Sequence, residues 1–87
     1  MIYKIKMLKS ALKDYQKIKN SKLSKTVKDL FEIIEKDPYA YPPKFEHLKG
    51  DMEGSISMRI NKQHRLIYKI EEKEIIIVAM WTHYETF

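Results

Sequence analysis

The strongest constraint on the fold of this 87-residue chain is a change of hydrophobic period near its middle. Between residues 8 and 36 the apolar side chains recur every three or four positions, in two segments separated by Asn20-Ser21. This spacing predicts two amphipathic helices with a break and a cap between them. The second helix should end at Asp37-Pro38, because proline disfavours helical geometry in the residue before it. From residue 45 onwards apolar and polar side chains alternate instead, which predicts strands.

The predicted strands define the fold class. One alternating segment, residues 2–7, precedes the helices, and four more follow at residues 45–48, 55–60, 64–70 and 74–82. The order β-α-α-β-β-β-β indicates an α+β fold, with two N-terminal helices packed on a curved, mostly antiparallel sheet that keeps one face free. The segment 74–82 carries apolar residues on both sides and should be an interior strand. The length predicts a single domain over residues 1–87.

The distribution of arginine points to a binding site on the free face. Of seventeen basic side chains only Arg59 and Arg65 are arginines, and they belong to strands that a short turn should join. Both are expected on the polar side of those strands, where they can share one face. A guanidinium grips a phosphate in a fixed orientation, which an ammonium does not. The pair therefore suggests a phosphate site, although two ordinary surface arginines would leave the same pattern.

Composition narrows the classes of protein that remain. Residues 1–36 carry ten lysines against four acidic side chains, within a net charge of +5. This positive region suits nucleic acid or an acidic protein partner, or it is simply a solvated pair of helices. The chain has no cysteine, which excludes disulfides and thiolate zinc sites, and its three histidines match no common ligand spacing. We therefore expect neither a metal nor a cofactor.

The sequence also indicates where in the cell the protein should be found. The first residues show no basic segment followed by an apolar one, as a secretory leader would. The longest apolar run, residues 75–81, is far too short to span a bilayer. We therefore expect a cytoplasmic protein with no membrane partner.

The residues expected around the free face include the parts needed to cut RNA without a metal. A carboxylate, here Glu46, can remove the proton from a ribose 2′-hydroxyl, and an imidazolium, here His83, can protonate the leaving 5′ oxygen. Fixed cations stabilise the charge that develops on the phosphoryl oxygens, and an aromatic ring such as Tyr84 offers a base a stacking surface. Taken singly, each of these side chains is more often solvated or structural than catalytic.

The order and spacing of the set resemble the YoeB/Txe toxins of the RelE-like superfamily. Three segments carry the resemblance across nearly the whole chain: Glu46-His47-Leu48-Lys49 followed by Gly54, then Met58-Arg59-Ile60 with His64-Arg65-Leu66-Ile67-Tyr68, and finally Thr82-His83-Tyr84. The family pattern is Glu-Pro-Leu-Lys and a glycine, Trp-Ser-Arg-Arg-Ile, His-Arg-Leu-Val-Tyr, and a His-Tyr near the end. The Asp14-Tyr15 pair of the first helix also matches.

The resemblance implies a RelE-like, microbial-RNase-like fold and a toxin of a type II toxin–antitoxin system that cleaves mRNA in the ribosomal A site. By similarity Glu46 is the general base and His83 the general acid, and Arg65 stabilises the phosphorane-like transition state. Lys49 and Arg59 would bind phosphate, and Tyr84 would orient the nucleotide. Implied partners are the ribosome, its mRNA, a YefM-like antitoxin and a second copy of the chain in a homodimer.

Two other classes compete with this reading. One is a RelE-fold toxin without nuclease activity, such as a ParE-like gyrase inhibitor, which has no chemical need for the Glu46 and His83 pair. The other is a non-catalytic RNA-binding module, supported by the basic charge alone.

Three departures from the family pattern bear on the site. The sequence continues past His83-Tyr84 with Glu85-Thr86-Phe87, which would move the terminal carboxylate away from His83 and place Glu85 near it. Ile56 and Met58 replace the family tryptophan and first arginine, which would remove any RNA or ribosome contact made there. His47 replaces the proline after the catalytic glutamate and would place a further proton carrier beside the base.

Overall fold

The computed structural model describes residues 3–40, 44–50, 53–61 and 64–80, and it confirms the predicted α+β order. The elements are β1 (Lys4–Met7), α1 (Lys9–Lys19), α2 (Ser24–Lys36), β2 (Phe45–His47), β3 (Ser55–Arg59), β4 (Arg65–Glu71) and β5 (Glu74–Ala79). Their bounds lie within about two residues of the predicted ones, with one exception. The last strand ends at Ala79, whereas the prediction extended it to Thr82.

The break between the helices depends on Ser21. Its hydroxyl donates to the Ile18 carbonyl at 2.8 Å and accepts from the Leu23 backbone N–H at 3.1 Å. The N-cap residue of α2 is Leu23, whose side chain makes no capping bond, so the serine acts two residues earlier than a conventional cap. At the other end α2 stops as predicted, because Asp37 is extended, with φ −153° and ψ 99°, before Pro38.

The five strands form one sheet in the order β1-β5-β4-β3-β2. The pairs β5–β4, β4–β3 and β3–β2 are antiparallel, and β1 pairs with β5 in parallel. This confirms a mostly antiparallel sheet. It also confirms that the segment beginning at Glu74 is an interior strand, since β5 has a neighbour on each side.

The helices cover one face of the sheet and form the core with it. Alternation along the strands sends one set of apolar side chains to this face, where they pack against buried residues of α1 and α2. The buried strand residues are Ile56, Met58, Leu66, Tyr68, Ile75 and Ile77, and their helical partners are Ala11, Ile18, Val27, Leu30 and Ile34. The opposite face carries the polar set and a smaller apolar cluster formed by Leu48, Ile67 and Ala79.

Tyr68 links the core to the end of α2. Its hydroxyl, fully buried, donates to the Pro38 carbonyl at 2.6 Å. Burial raises the pKa of Tyr68 above its usual value, with smaller contributions from Tyr39 and Asp37, so the hydroxyl keeps its proton and remains a donor. This bond fixes the chain where it leaves α2 on its way to β2.

Tyr68→Phe should therefore lower the free energy of unfolding by about 1–3 kcal/mol, because the variant takes the hydroxyl donor away from the buried Pro38 carbonyl. The measurement is urea denaturation followed by circular dichroism. Tyr39→Phe is the matched control, since Tyr39 is 53% exposed and its loss should change stability by less than about 0.5 kcal/mol. Equal stability of the two variants would contradict the assignment.

Candidate active site

Arg59 and Arg65 stand opposite each other on the free face of the sheet. Arg59 of β3 pairs in register with Arg65 of β4, which confirms that the two arginines share one face. Directly opposed residues of antiparallel strands have Cβ atoms only about 4.5–5.5 Å apart, and like charges there repel. Within the described part of the chain neither guanidinium is in an ion pair with a carboxylate. The pair therefore concentrates positive charge at one end of the hairpin.

The turn between β3 and β4 holds the Arg65 guanidinium in place. Arg65 Nη1 donates to the Asn61 carbonyl at 2.8 Å and to the His64 carbonyl at 3.2 Å. The turn itself is closed by His64, whose backbone N–H donates to Asn61 Oδ1 at 2.7 Å and whose carbonyl accepts from Ile60 N–H at 3.0 Å. Two backbone carbonyls thus hold Nη1 of Arg65. Because the guanidinium is planar and rigid, these two bonds also set the direction of its other N–H groups.

A carboxylate lies across the sheet from these cations. Glu46 of β2 pairs in register with Ser57 of β3, and Arg59 is two positions further along the same face. Such a diagonal neighbour is about 7–8 Å away. Glu46 is exposed, whereas Ser57 is 4% exposed. The pairing of β2 and β3 continues beyond the strand, because the Arg59 N–H donates to the Lys44 carbonyl at 3.1 Å.

These side chains surround a small open cavity of about 90 Å3. Its lining residues are Lys44, Phe45, Glu46, Ser57, Arg59 and Arg65. Three cations, one carboxylate and one hydroxyl therefore face the same space. Because its three cations outnumber the one carboxylate, the cavity favours an anionic group bound beside that carboxylate.

Lys49 and His47 do not join this cavity. Lys49 is exposed beyond the other end of β2, next to the start of β3, and β3 spans about 13 Å from there to Arg59. The expectation that His47 is a proton carrier beside Glu46 is wrong, because alternation along β2 sends the two side chains to opposite faces. The His47 ring instead meets Phe45 edge-on, with ring centroids 5.8 Å apart.

The predicted residues His83 and Tyr84 lie outside the described residues, which end at Met80. The topology nevertheless shows where the chain leaves the sheet. Ala79 at the end of β5 pairs with Ile67, two residues from Arg65, and the two strands are antiparallel. The chain therefore leaves β5 at the end of the sheet that carries Arg65.

Comparison with known proteins shows the family to which the chain belongs. The family model described as YoeB-like toxin of bacterial type II toxin–antitoxin system matches residues 7–84. The chain belongs to this family. It is 40% identical over 63 residues to a toxin YoeB of Streptomyces coelicolor, an alignment that covers 72% of this chain and 75% of that one. This protein is therefore a toxin of a type II toxin–antitoxin system.

Solved structures give the same result. The chain superposes on YoeB of a YoeB–YefM complex from Staphylococcus aureus with a TM-score of 0.83 and 30% identity, covering 97% of this chain and 100% of that one. It superposes on a YoeB dimer from the same organism with a TM-score of 0.84 and 28% identity, at the same coverage. The predicted family and fold are confirmed.

Within this toxin the family departures at Ile56 and Met58 fall on the core face. Both side chains are buried under the helices, 3% and 0% exposed, and pair with Tyr68 and Leu66 of β4. They leave the composition of the cavity unchanged, because alternation places Ser57 and Arg59 on the other side.

Sequence reasoning missed three residues of the cavity, Lys44, Phe45 and Ser57. Ser57 has the same alternation as Arg59, so the periodicity that placed Arg59 on the free face could have identified it. Lys44 carries no periodic signal, since it lies between a proline-rich segment and a three-residue strand. Its carbonyl accepts from the Arg59 N–H, which holds Lys44 beside the cavity.

Two further features of the described residues concern metal binding and membrane crossing. Across residues 3–40, 44–50, 53–61 and 64–80, no cluster of three or more His, Cys, Asp or Glu side chains has the arrangement of a metal site. No helix in those ranges combines the length and apolar character required to cross a membrane.

Proposed function

We propose that this toxin is an endoribonuclease that cuts mRNA in the ribosomal A site. The observation that carries the proposal is the cavity in which Glu46 faces Arg59 and Arg65. A toxin that acted only by binding would need the cations or the shape of the surface, but it would have no use for a carboxylate beside an anion site. General base and charge stabilisation are the two functions that cleavage of an RNA backbone requires there.

In the proposed reaction Glu46 removes the proton from the 2′-hydroxyl of the nucleotide at the cut site. The 2′ oxygen attacks the adjacent phosphorus, the bond from phosphorus to the 5′ oxygen breaks, and His83 gives that oxygen a proton. The products are a 2′,3′-cyclic phosphate and a 5′-hydroxyl. Arg65, fixed by its turn, stabilises the charge that develops on the phosphoryl oxygens.

The remaining cations and Tyr84 bind the substrate. Arg59 and Lys44 line the cavity and hold the reacting phosphate. Lys49 contacts a phosphate further along the strand, because it lies at the opposite end of the same hairpin. Tyr84 stacks on a base and orients the nucleotide.

The place of His83 in this scheme is supported by the exit of the chain from β5. The described chain ends at Met80 on the side of the sheet that carries Arg65, which supports the assignment of His83, three residues further along the sequence, as the acid of this site.

The same proposal names the partners. The Staphylococcus aureus relatives are described as a YoeB–YefM complex and as a dimer. By analogy, a YefM-like antitoxin neutralises this toxin, and the toxin forms homodimers. Its substrate, mRNA on the ribosome, places its action in the cytoplasm.

The test is to add the purified toxin to ribosomes that translate a defined mRNA and to map both new ends. We expect cleavage only when ribosomes are present, with a cyclic phosphate on one fragment and a 5′-hydroxyl on the other. An mRNA with 2′-deoxyribose at the cut site should remain intact, because it lacks the nucleophile.

Cleavage of the deoxy substrate at the normal rate would overturn the mechanism. Growth arrest by a folded toxin that leaves all mRNA intact would instead favour a non-enzymatic toxin of the ParE kind.

A further inference from the structure

Side chains of α1 extend the hydrogen bonding of the sheet along β5. β1 pairs with β5 as far as Met7 opposite Ile77, and the Leu8 N–H donates to the Ile77 carbonyl at 3.0 Å. At Lys9 the chain becomes helical, while β5 continues to Ala79. The last part of β5 therefore has no strand of the described sheet on that side.

Two residues of α1 take the place of the missing strand. Ser10 Oγ donates to the Val78 carbonyl at 2.8 Å, and Asp14 Oδ2 accepts from the Met80 backbone N–H at 3.1 Å. Ser10 and Asp14 are four residues apart and so lie one above the other on the same side of the helix. Their two partners, the Val78 carbonyl and the Met80 N–H, are two residues apart, which is the spacing of backbone groups along one edge of a strand.

The hydrogen bond of Asp14 is the stronger of the two, and it is the one nearer in sequence to His83. A hydrogen bond to a carboxylate is charge-assisted and about twice as strong as a neutral one. Asp14 is half-buried and its bond to Met80 is partly buried, whereas the Ser10 bond is exposed. The amide that Asp14 holds belongs to Met80, which is three residues before His83.

We infer that Asp14, assisted by Ser10, is a positioning residue for the general acid. The inference rests on the proposed function. By fixing the Met80 amide, Asp14 sets the direction in which the chain leaves the sheet, and with it the distance between the His83 imidazole and the 5′ oxygen. Proton transfer needs that distance to be within hydrogen-bond reach, and a displacement of about 1 Å can cost about 100-fold in rate.

A substrate that needs no general acid separates this role from a merely structural one. Sulfur in place of the bridging 5′ oxygen leaves as a thiolate, because a thiol has a pKa of about 8.5 and needs no proton in order to leave. A defect that acts through His83 should therefore disappear on the sulfur substrate. A defect that acts through folding, substrate binding or Arg65 should persist on it.

The experiment compares single-turnover cleavage of the two substrates on ribosomes saturated with toxin. Asp14→Ala should cut the oxygen substrate about 100-fold more slowly than the wild type and the sulfur substrate at close to the wild-type rate. His83→Gln should give the same pattern with a larger loss on oxygen, and both variants should lose the alkaline limb of the pH profile. Asp14→Asn keeps an oxygen acceptor for the Met80 amide and should recover most of the activity.

Asp29→Ala is the matched control, because Asp29 is exposed on α2 and its replacement makes the same change in charge. It should behave as the wild type on both substrates. Hydrogen exchange provides a readout that is independent of cleavage: the Met80 amide should exchange faster in Asp14→Ala than in Asp29→Ala, while the Tyr68 amide in the core strand should not change. If Asp14→Ala folds poorly, Ser10→Ala removes the exposed bond and should show a smaller loss with the same rescue by sulfur.

Equal losses on the two substrates, or wild-type rates on both, in a folded Asp14→Ala toxin would overturn the inference and leave the proposed function standing. A wild-type toxin that cuts neither substrate would overturn the proposed function, and the positioning role with it.

Discussion

Glu46→Gln should reduce the rate of mRNA cleavage about 10²–10⁴-fold, the usual contribution of a positioned general base. Glutamine keeps the size of the side chain and one oxygen acceptor, but it cannot take the proton of the 2′-hydroxyl at working pH. Single-turnover rates, on ribosomes saturated with toxin, measure this effect.

Stability should not account for this loss. Glu46 is exposed, so its replacement should change the free energy of unfolding by less than about 0.5 kcal/mol. Glu32→Gln is the matched control, because Glu32 is exposed on α2, away from the free face of the sheet. A Glu46→Gln toxin that cuts as fast as the Glu32 variant would remove Glu46 from the reaction.

Arg65→Ala should slow the chemical step about 10²–10³-fold, as the loss of one preorganised donor does at comparable sites. Arg65→Lys should recover only part of this rate. A lysine supplies charge, but it cannot both hold the Asn61 and His64 carbonyls and present a planar fork to the phosphate. Rates measured at saturating toxin isolate the chemical step from binding.

Arg59→Ala provides the contrast, because its exposed guanidinium has no anchor of that kind within the described residues. It should weaken binding, reduce the salt dependence of binding by about one charge and leave the saturated rate nearer to that of the wild type. The outcome that counts against the assignment is an Arg65→Ala toxin with an unchanged saturated rate, which would make Arg65 a residue of the turn alone.

Local pattern was sufficient to predict the elements and the faces of the strands. The alternation of Ser57 and Arg59 with Met58 assigned each side chain to the correct face, and Asp37-Pro38 marked the end of α2. Resemblance to a family then selected Glu46, Arg59 and Arg65, which the structure brings to one cavity. The roles of these three, like those of Lys49, His83 and Tyr84, remain predictions.

Features set by contacts between distant parts of the chain were not predictable in this way. Nothing in residues 4–7 indicates a parallel pairing with β5, since any exposed strand edge could accept them. The end of β5 also lies at such a contact: its apolar run continues past Ala79, but the next backbone amide, that of Met80, donates to Asp14 of α1. The side of β2 on which His47 lies likewise follows from its register with β3.

The parallel pairing of β1 with β5 determines when the toxin can fold during its synthesis. A ribosome makes β1 early, but its partner β5 is the last of the described strands to be made, and β5 also joins β1 to the antiparallel strands. Contacts between such distant segments form late, because a long loop must close first. A chain that stops before residue 74 has the cations and the carboxylate but not the strand that holds the sheet together. The toxin therefore completes its fold only after β5 has been synthesised, and fragments that lack β5 should be harmless to the ribosomes that make them.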